Sequence, residues 1–141
     1  MSLDNLIGIS LETIEPDASA LERLRMAAQR NLTDSRIKDL STENRFDLAY
    51  KAIMQLANLA LQENGYRTLT SKPGHHVTMI QTLNQTIGLD KETIIVIDAL
   101  RKQRNIADYS GDLIPDSTAD ECQAMADMLL EKVSVLLADR K

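Results

Sequence analysis

Aromatic side chains are almost missing from this 141-residue chain: Phe46, Tyr50, Tyr66 and Tyr109 make up 3% of it, and there is no tryptophan. A core without them must be aliphatic. That suits packed helices better than a β-sandwich, where β-branched and aromatic residues dominate. Cysteine is reduced to one, Cys122, which has no partner for an intrachain disulfide. It falls in helical step with Met125 and Leu129, so it reads as a small core residue. No apolar run approaches the ~18 residues that a membrane-spanning helix needs. The N-terminus is neither basic nor followed by an apolar stretch, so a secretory leader is not expected and the expected compartment is cytoplasmic. Basic residues are outnumbered, 16 against 21, giving a net charge of -5. A broad basic surface for nucleic acid, and DNA binding in particular, is therefore not expected, although a local strip of arginines is still open.

Chemical signatures are scarce too. The chain has no phosphate-binding glycine loop of either common type, no GxSxG nucleophile turn, no HExxH and no CxxC. A carboxylate-bridged metal pair in a bundle needs Glu-x-x-His, and neither His75 nor His76 has a glutamate three residues earlier. No metal and no cofactor are expected.

What is present is helical periodicity with clean punctuation. Gly65, Pro73, Gly74, Gly88, Gly111 and Pro115 all fall between apolar-periodic segments. The first helix is expected to open at Pro16, with Asp17 complementing its dipole and Leu21, Leu24, Ala28 and Leu32 facing inward. A second follows Ser41 or Thr42, carries Phe46, Ala49, Ile53, Leu56 and Ala60 on one face, and stops at Asn64-Gly65. A polar link from Tyr66 to Pro73 leads to a third, from near Gly74 to Gly88, with Val77, Ile80, Leu83 and Ile87 inward. Asp90 caps a fourth that runs to about Tyr109. Its Ile94-Ile95-Val96-Ile97 run resembles a strand, but the cap and the flanking period favour a helix. Ser117 is expected to cap the last, with Cys122, Met125, Leu129, Val133 and Leu136 inward. The expected fold is all-α, an antiparallel bundle of about five helices in a single domain, residues 1–141. Residues 1–14, broken by Gly8, form a short helix or a docking arm ahead of a bundle over residues 16–141.

Two polar features stand out. His75 and His76 are adjacent in the first turn of a helix. Neighbouring side chains there diverge by about 100°, which disfavours a shared metal. They form either a plain polar helix start or a ligand-facing or interface histidine with its pKa lowered by the helix N-terminus. The second feature is the strip Arg101, Arg104, Asn105 and Asp108. On a helical wheel these share an arc with Asp98, opposite Ile95, Val96, Ala99, Leu100, Ile106 and Ala107. Arg104 and Asp108 are an i,i+4 pair, worth roughly 0.3–0.5 kcal/mol if solvated. Because Ile94 and Ile97 flank the strip, it is also placed to lie against protein, where an arginine fork suits phosphate.

These residues in their order resemble the HEPN family of helical bundles over about residues 46–137. The likeness starts with the second helix ending in Gly65-Tyr66-Arg67 and passes through Pro73-Gly74-His75-His76. It is sharpest at Arg104-Asn105-Ile106-Ala107-Asp108-Tyr109, followed by Gly111 and a final helix. The resemblance implies a dimer. Many members are ribonucleases with an Arg-polar-…-His motif; others pair with a small nucleotidyltransferase in toxin–antitoxin modules, bind nucleotides or act as scaffolds. Arg104 and Asn105 match the motif's first half, and Tyr109 stands where the histidine would. A phenol with pKa of about 10 is a poor base near neutrality. The resemblance therefore implies a non-catalytic or regulatory homodimeric module. Arg104, Asn105, Asp108, Tyr109 and Arg101, with His75 and His76, would bind a nucleotide, an RNA end or a partner protein such as a nucleotidyltransferase. The alternative is a metal-independent endoribonuclease of the toxin type, in which His75 or His76 lies beside Arg104 and supplies the missing imidazole. A bundle whose polar strip does nothing is the third reading.

Overall fold

The computed structural model describes residues 3–71, 73–111 and 113–139. Met1 and Ser2 of the expected arm, and Arg140 and Lys141, lie outside them. The fold is an all-α bundle. In chain order it contains a 3-10 turn (Leu3–Leu6), β1 (Leu11–Thr13), α1 (Ala18–Asp34), α2 (Thr42–Glu63) and β2 (Tyr66–Thr68), followed by α3 (His75–Gln81), α4 (Leu83–Ile87), α5 (Lys91–Ser110) and α6 (Asp116–Asp139).

α2 is the central post. It packs most extensively on α6 and α1. Between Ala49 and Leu61 its apolar residues are buried on nearly every side, which is the pattern of a helix enclosed by others. Phe46, Ile53, Leu56 and Leu59 of α2 meet Ile80, Leu83, Ile97, Ala126, Leu129 and Val133 in one aliphatic core. Cys122 is part of it, and burial pushes its thiol up to about 12.

Helix boundaries follow local chemistry. The Asp17 carboxylate accepts a 3.0 Å hydrogen bond from the Ser19 N–H, so Asp17 is the cap of α1 and Pro16 precedes the helix rather than opening it. Ser41 caps α2 through the Asn44 N–H, and Asp90 caps α5 through the Thr93 N–H. Ser117 does not cap α6. The helix begins at Asp116, and the Pro115 carbonyl accepts from the Thr118 and Ala119 N–H groups.

The expected third helix is two short ones. The break falls at Thr82, whose hydroxyl donates to the Thr78 carbonyl at 2.8 Å, the back-bonding by which threonine bends a helix. Gly88, at φ +71°, then closes α4 with its N–H on the Asn84 carbonyl.

The polar link after α2 holds a strand. β2 pairs antiparallel with β1, Leu11 opposite Thr68 and Thr13 opposite Tyr66. The pairing seats the start of the chain on the end of α2, where Leu3 and Leu11 bury against Leu61.

The inward face of α5 differs from the wheel. Ile94, Ile97 and Leu100 are buried, whereas Ile95 and Ile106 are 67% and 50% exposed. α5 carries apolar residues on two faces, so periodicity alone could not choose between them. The face that packs is the one bearing Arg101 and Arg104, whose stems lie against protein.

Candidate functional site

α2, α3 and α5 meet around one buried phenol. Tyr50 stacks on Phe46, their ring centroids 6.2 Å apart and 11° from parallel. At the start of α3, His76 packs against the Tyr50 ring at 5.9 Å and places its Nδ1 3.2 Å from the phenol oxygen. From α5, the Arg104 guanidinium carbon lies 5.1 Å from the same ring's centroid. Two residues 28 positions apart in sequence, His76 and Arg104, thus share one aromatic platform. His75 packs edge-on against His76 at 5.2 Å, so the neighbouring rings touch rather than diverge.

A groove of about 560 Å³ opens beside this cluster. It is lined by Asp47, Lys51, His75, His76 and Arg104 and by the apolar side chains of Met54 and Met79. Gln55 and Asn58 line it farther along α2.

The electrostatics follow from burial and from the arginines. Tyr50 is nearly inaccessible, and burial raises its pKa to about 12, so the phenol keeps its proton. Burial lowers the pKa of His76, and His75, Arg104 and Arg101 lower it further. The causes are desolvation and neighbouring positive charge. His76 is therefore a neutral ring near pH 7.

Its tautomer follows. Among the described residues the Tyr50 hydroxyl has His76 Nδ1 as its hydrogen-bond partner. The contact is satisfied when the phenol donates to Nδ1, the arrangement that keeps the imidazole hydrogen on Nε2. In that tautomer His76 presents an N–H donor, not a basic lone pair.

Asp47 is raised above the usual carboxylate range by burial and by Asp108, with Arg104 opposing. Asp98 is held below that range by its hydrogen bond from Arg101, at 2.8 Å. Arg101 is thereby engaged in its own helix.

Of the residues singled out in the sequence, the structure brings together His75, His76 and Arg104. Asp108 stands at the edge, 3.9 Å from Arg104, while Asn105 and Tyr109 face outward, Tyr109 92% exposed. Sequence reasoning missed Tyr50, Asp47, Lys51, Gln55 and Asn58. The available signal was the polar row 47, 51, 55 and 58 on the otherwise apolar α2, at spacings of four, four and three.

Among known proteins, no family model and no curated sequence matches this chain. Its own geometry describes it as an all-α bundle with a groove of mixed lining where α2, α3 and α5 converge. Among the described residues no helix is long and apolar enough to cross a membrane.

Proposed function

We propose that this chain is a non-catalytic, HEPN-like binding module whose groove takes the phosphate end of a nucleotide or an RNA strand. The observation that carries the reading is the Arg104 guanidinium held over Tyr50, with His76 on the same ring. A guanidinium stacked on an aromatic face is preorganised, so its fork loses little freedom on meeting a phosphate. The His76 Nε2–H, His75 and Lys51 add donors around it. The likeness of the Arg104–Tyr109 segment to the HEPN motif agrees with this reading.

A homodimer belongs to the same proposal. On the outer face of α5, Ile95, Ala99, Lys102, Ile106 and Tyr109 are all exposed and recur at spacings of four, three, four and three. That spacing forms the seam between paired helices, and a second copy of α5 is the partner proposed for it. A nucleotidyltransferase-like protein is the competing occupant.

The second reading is a metal-independent endoribonuclease. What favours it is the shared platform, which puts an imidazole near Arg104. The Nε2–H tautomer weighs against it, because a general base needs a free lone pair. Incubating RNA with the protein in EDTA, beside Arg104→Ala, decides between them. The binding module leaves RNA intact and loses nucleotide affinity in the variant. Cleavage that disappears in the variant overturns the non-catalytic reading.

A further inference from the structure

His76 joins the buried platform to the groove. Its Nδ1 is taken by the Tyr50 hydroxyl at 3.2 Å. Its Nε2 has no partner among the described residues and yet is not a buried orphan, so it opens on solvent in the groove that the ring lines. One ring nitrogen is held by the protein, and the other is left for a ligand.

The surrounding charges set what a ligand would change. On α3, the His75 ring lies 5.2 Å from His76. α5 brings Arg104, on the same Tyr50 ring, and Arg101. α2 contributes Lys51 and Asp47 to the groove. Asp98 is paired with Arg101 at 2.8 Å, and Asp108 with Arg104 at 3.9 Å. The charges that act most on His76 are positive, and together with burial they keep the ring neutral while the groove is empty. A phosphate group drawn to Arg104 reverses that field and favours the charged ring.

We infer that the groove takes up a proton together with its anion, and that His76 is the group that receives it. The inference rests on the phosphate-binding reading of the same groove, and it makes affinity a function of pH. The proton comes from solvent and goes to the ring nitrogen that lacks one. The imidazolium then donates from both nitrogens, Nδ1 to the Tyr50 oxygen and Nε2 to the anion. The phenol turns from donor to acceptor, and either starting tautomer leads to this arrangement. Anion binding and protonation strengthen each other by the same factor, so the anion is held in mild acid and released above neutrality.

Inorganic sulfate is the probe, a tetrahedral dianion with no proton of its own to gain from about pH 5 to about pH 8, where histidine titrates. Nitrogen NMR of the parent with and without sulfate, at constant ionic strength, follows the His76 ring and needs no variant. Sulfate should move its titration midpoint up by about one pH unit, equivalent to a tenfold tighter hold on the charged ring. Sulfate should accordingly bind the parent about fivefold tighter near pH 5 than near pH 8. Most of that ratio should be lost in His76→Gln and kept in His75→Gln. An unmoved His76 midpoint with sulfate bound would overturn the inference, as would a ratio kept in His76→Gln and lost in His75→Gln. In either case, sulfate binding that disappears in Arg104→Ala leaves the phosphate groove standing. No sulfate binding by the folded parent at any pH would overturn both.

Discussion

Arg104 rests on the face of Tyr50, its guanidinium carbon 5.1 Å from the ring centroid, and through that ring α5 is tied to both α2 and α3. A half-buried cation–π contact of this kind contributes roughly 0.5–2 kcal/mol. Arg104→Ala is expected to lower the urea-unfolding free energy by about that amount while the helical circular dichroism is kept. A loss above ~4 kcal/mol would mean that Arg104 is a core strut and not a binding group.

Tyr50→Phe removes one oxygen and keeps the ring. The cost should be about 0.5–1.5 kcal/mol, the net worth of one hydrogen bond. The clearer readout is the His76 ring in nitrogen NMR. In the parent, Nδ1 should show the shift of an unprotonated acceptor nitrogen and Nε2 that of an N–H. Loss of this bias in Tyr50→Phe confirms that the phenol sets the tautomer, and the opposite tautomer in the parent would refute it.

Acid should weaken the fold through His76. Its folded pKa is lowered from 6.5 by burial and by neighbouring positive charge. The unfolded chain therefore binds the proton more readily, and stability falls as pH drops from about 6.5 through the folded value. Asp47 has the opposite sign. Its folded pKa is raised, so its ionisation costs stability as pH climbs from 3.8 through its folded value. Urea melts of the parent and His76→Gln between pH 5 and pH 8, about one to two units around the histidine range, isolate the first effect. The variant should lose the dependence above pH 5, and an unchanged slope would assign it elsewhere.

Leu56 is wholly buried at the middle of α2. Leu56→Ala should cost about 2–5 kcal/mol, the transfer term plus the cavity term. Leu113, 81% exposed, should tolerate alanine within about 0.5 kcal/mol. Comparable urea midpoints for the two variants would show the burial pattern to be wrong.

The outer face of α5 makes a separate prediction. Ile106→Asp places a charge in the proposed seam at a position 50% exposed in one chain. Sedimentation should show the parent as a dimer and the variant as a monomer of similar melting temperature at low concentration. A monomeric parent would leave the seam to a different protein.

The sequence by itself determined the class of fold. The shortage of aromatics, the 3.6-residue periods and the punctuation at Ser41, Asn64-Gly65, Asp90 and Gly111 are local signals, and capping and propensity act within one turn of chain. They located α2 and α5, rejected a strand over Ile94–Ile97, and marked His75, His76 and Arg104 as residues of interest. The helix start placed at Pro16 and the cap placed at Ser117 err by a residue or two, because several neighbouring residues can begin or cap a helix and only packing chooses among them.

Tertiary structure alone decided which face of α5 turns inward, since apolar residues occupy both faces and burial depends on what α2 and α3 offer there. It likewise decided that Tyr66–Thr68 is a strand, because its partner, Leu11–Thr13, is more than fifty residues away. The site is a product of the same kind of contact. Tyr50 reads as one more core residue until α3 brings His76 to its hydroxyl and α5 lays Arg104 on its ring. Nothing in its neighbours along the chain announces either event, because the interactions that define the groove act across space, between helices whose approach is fixed by the core as a whole.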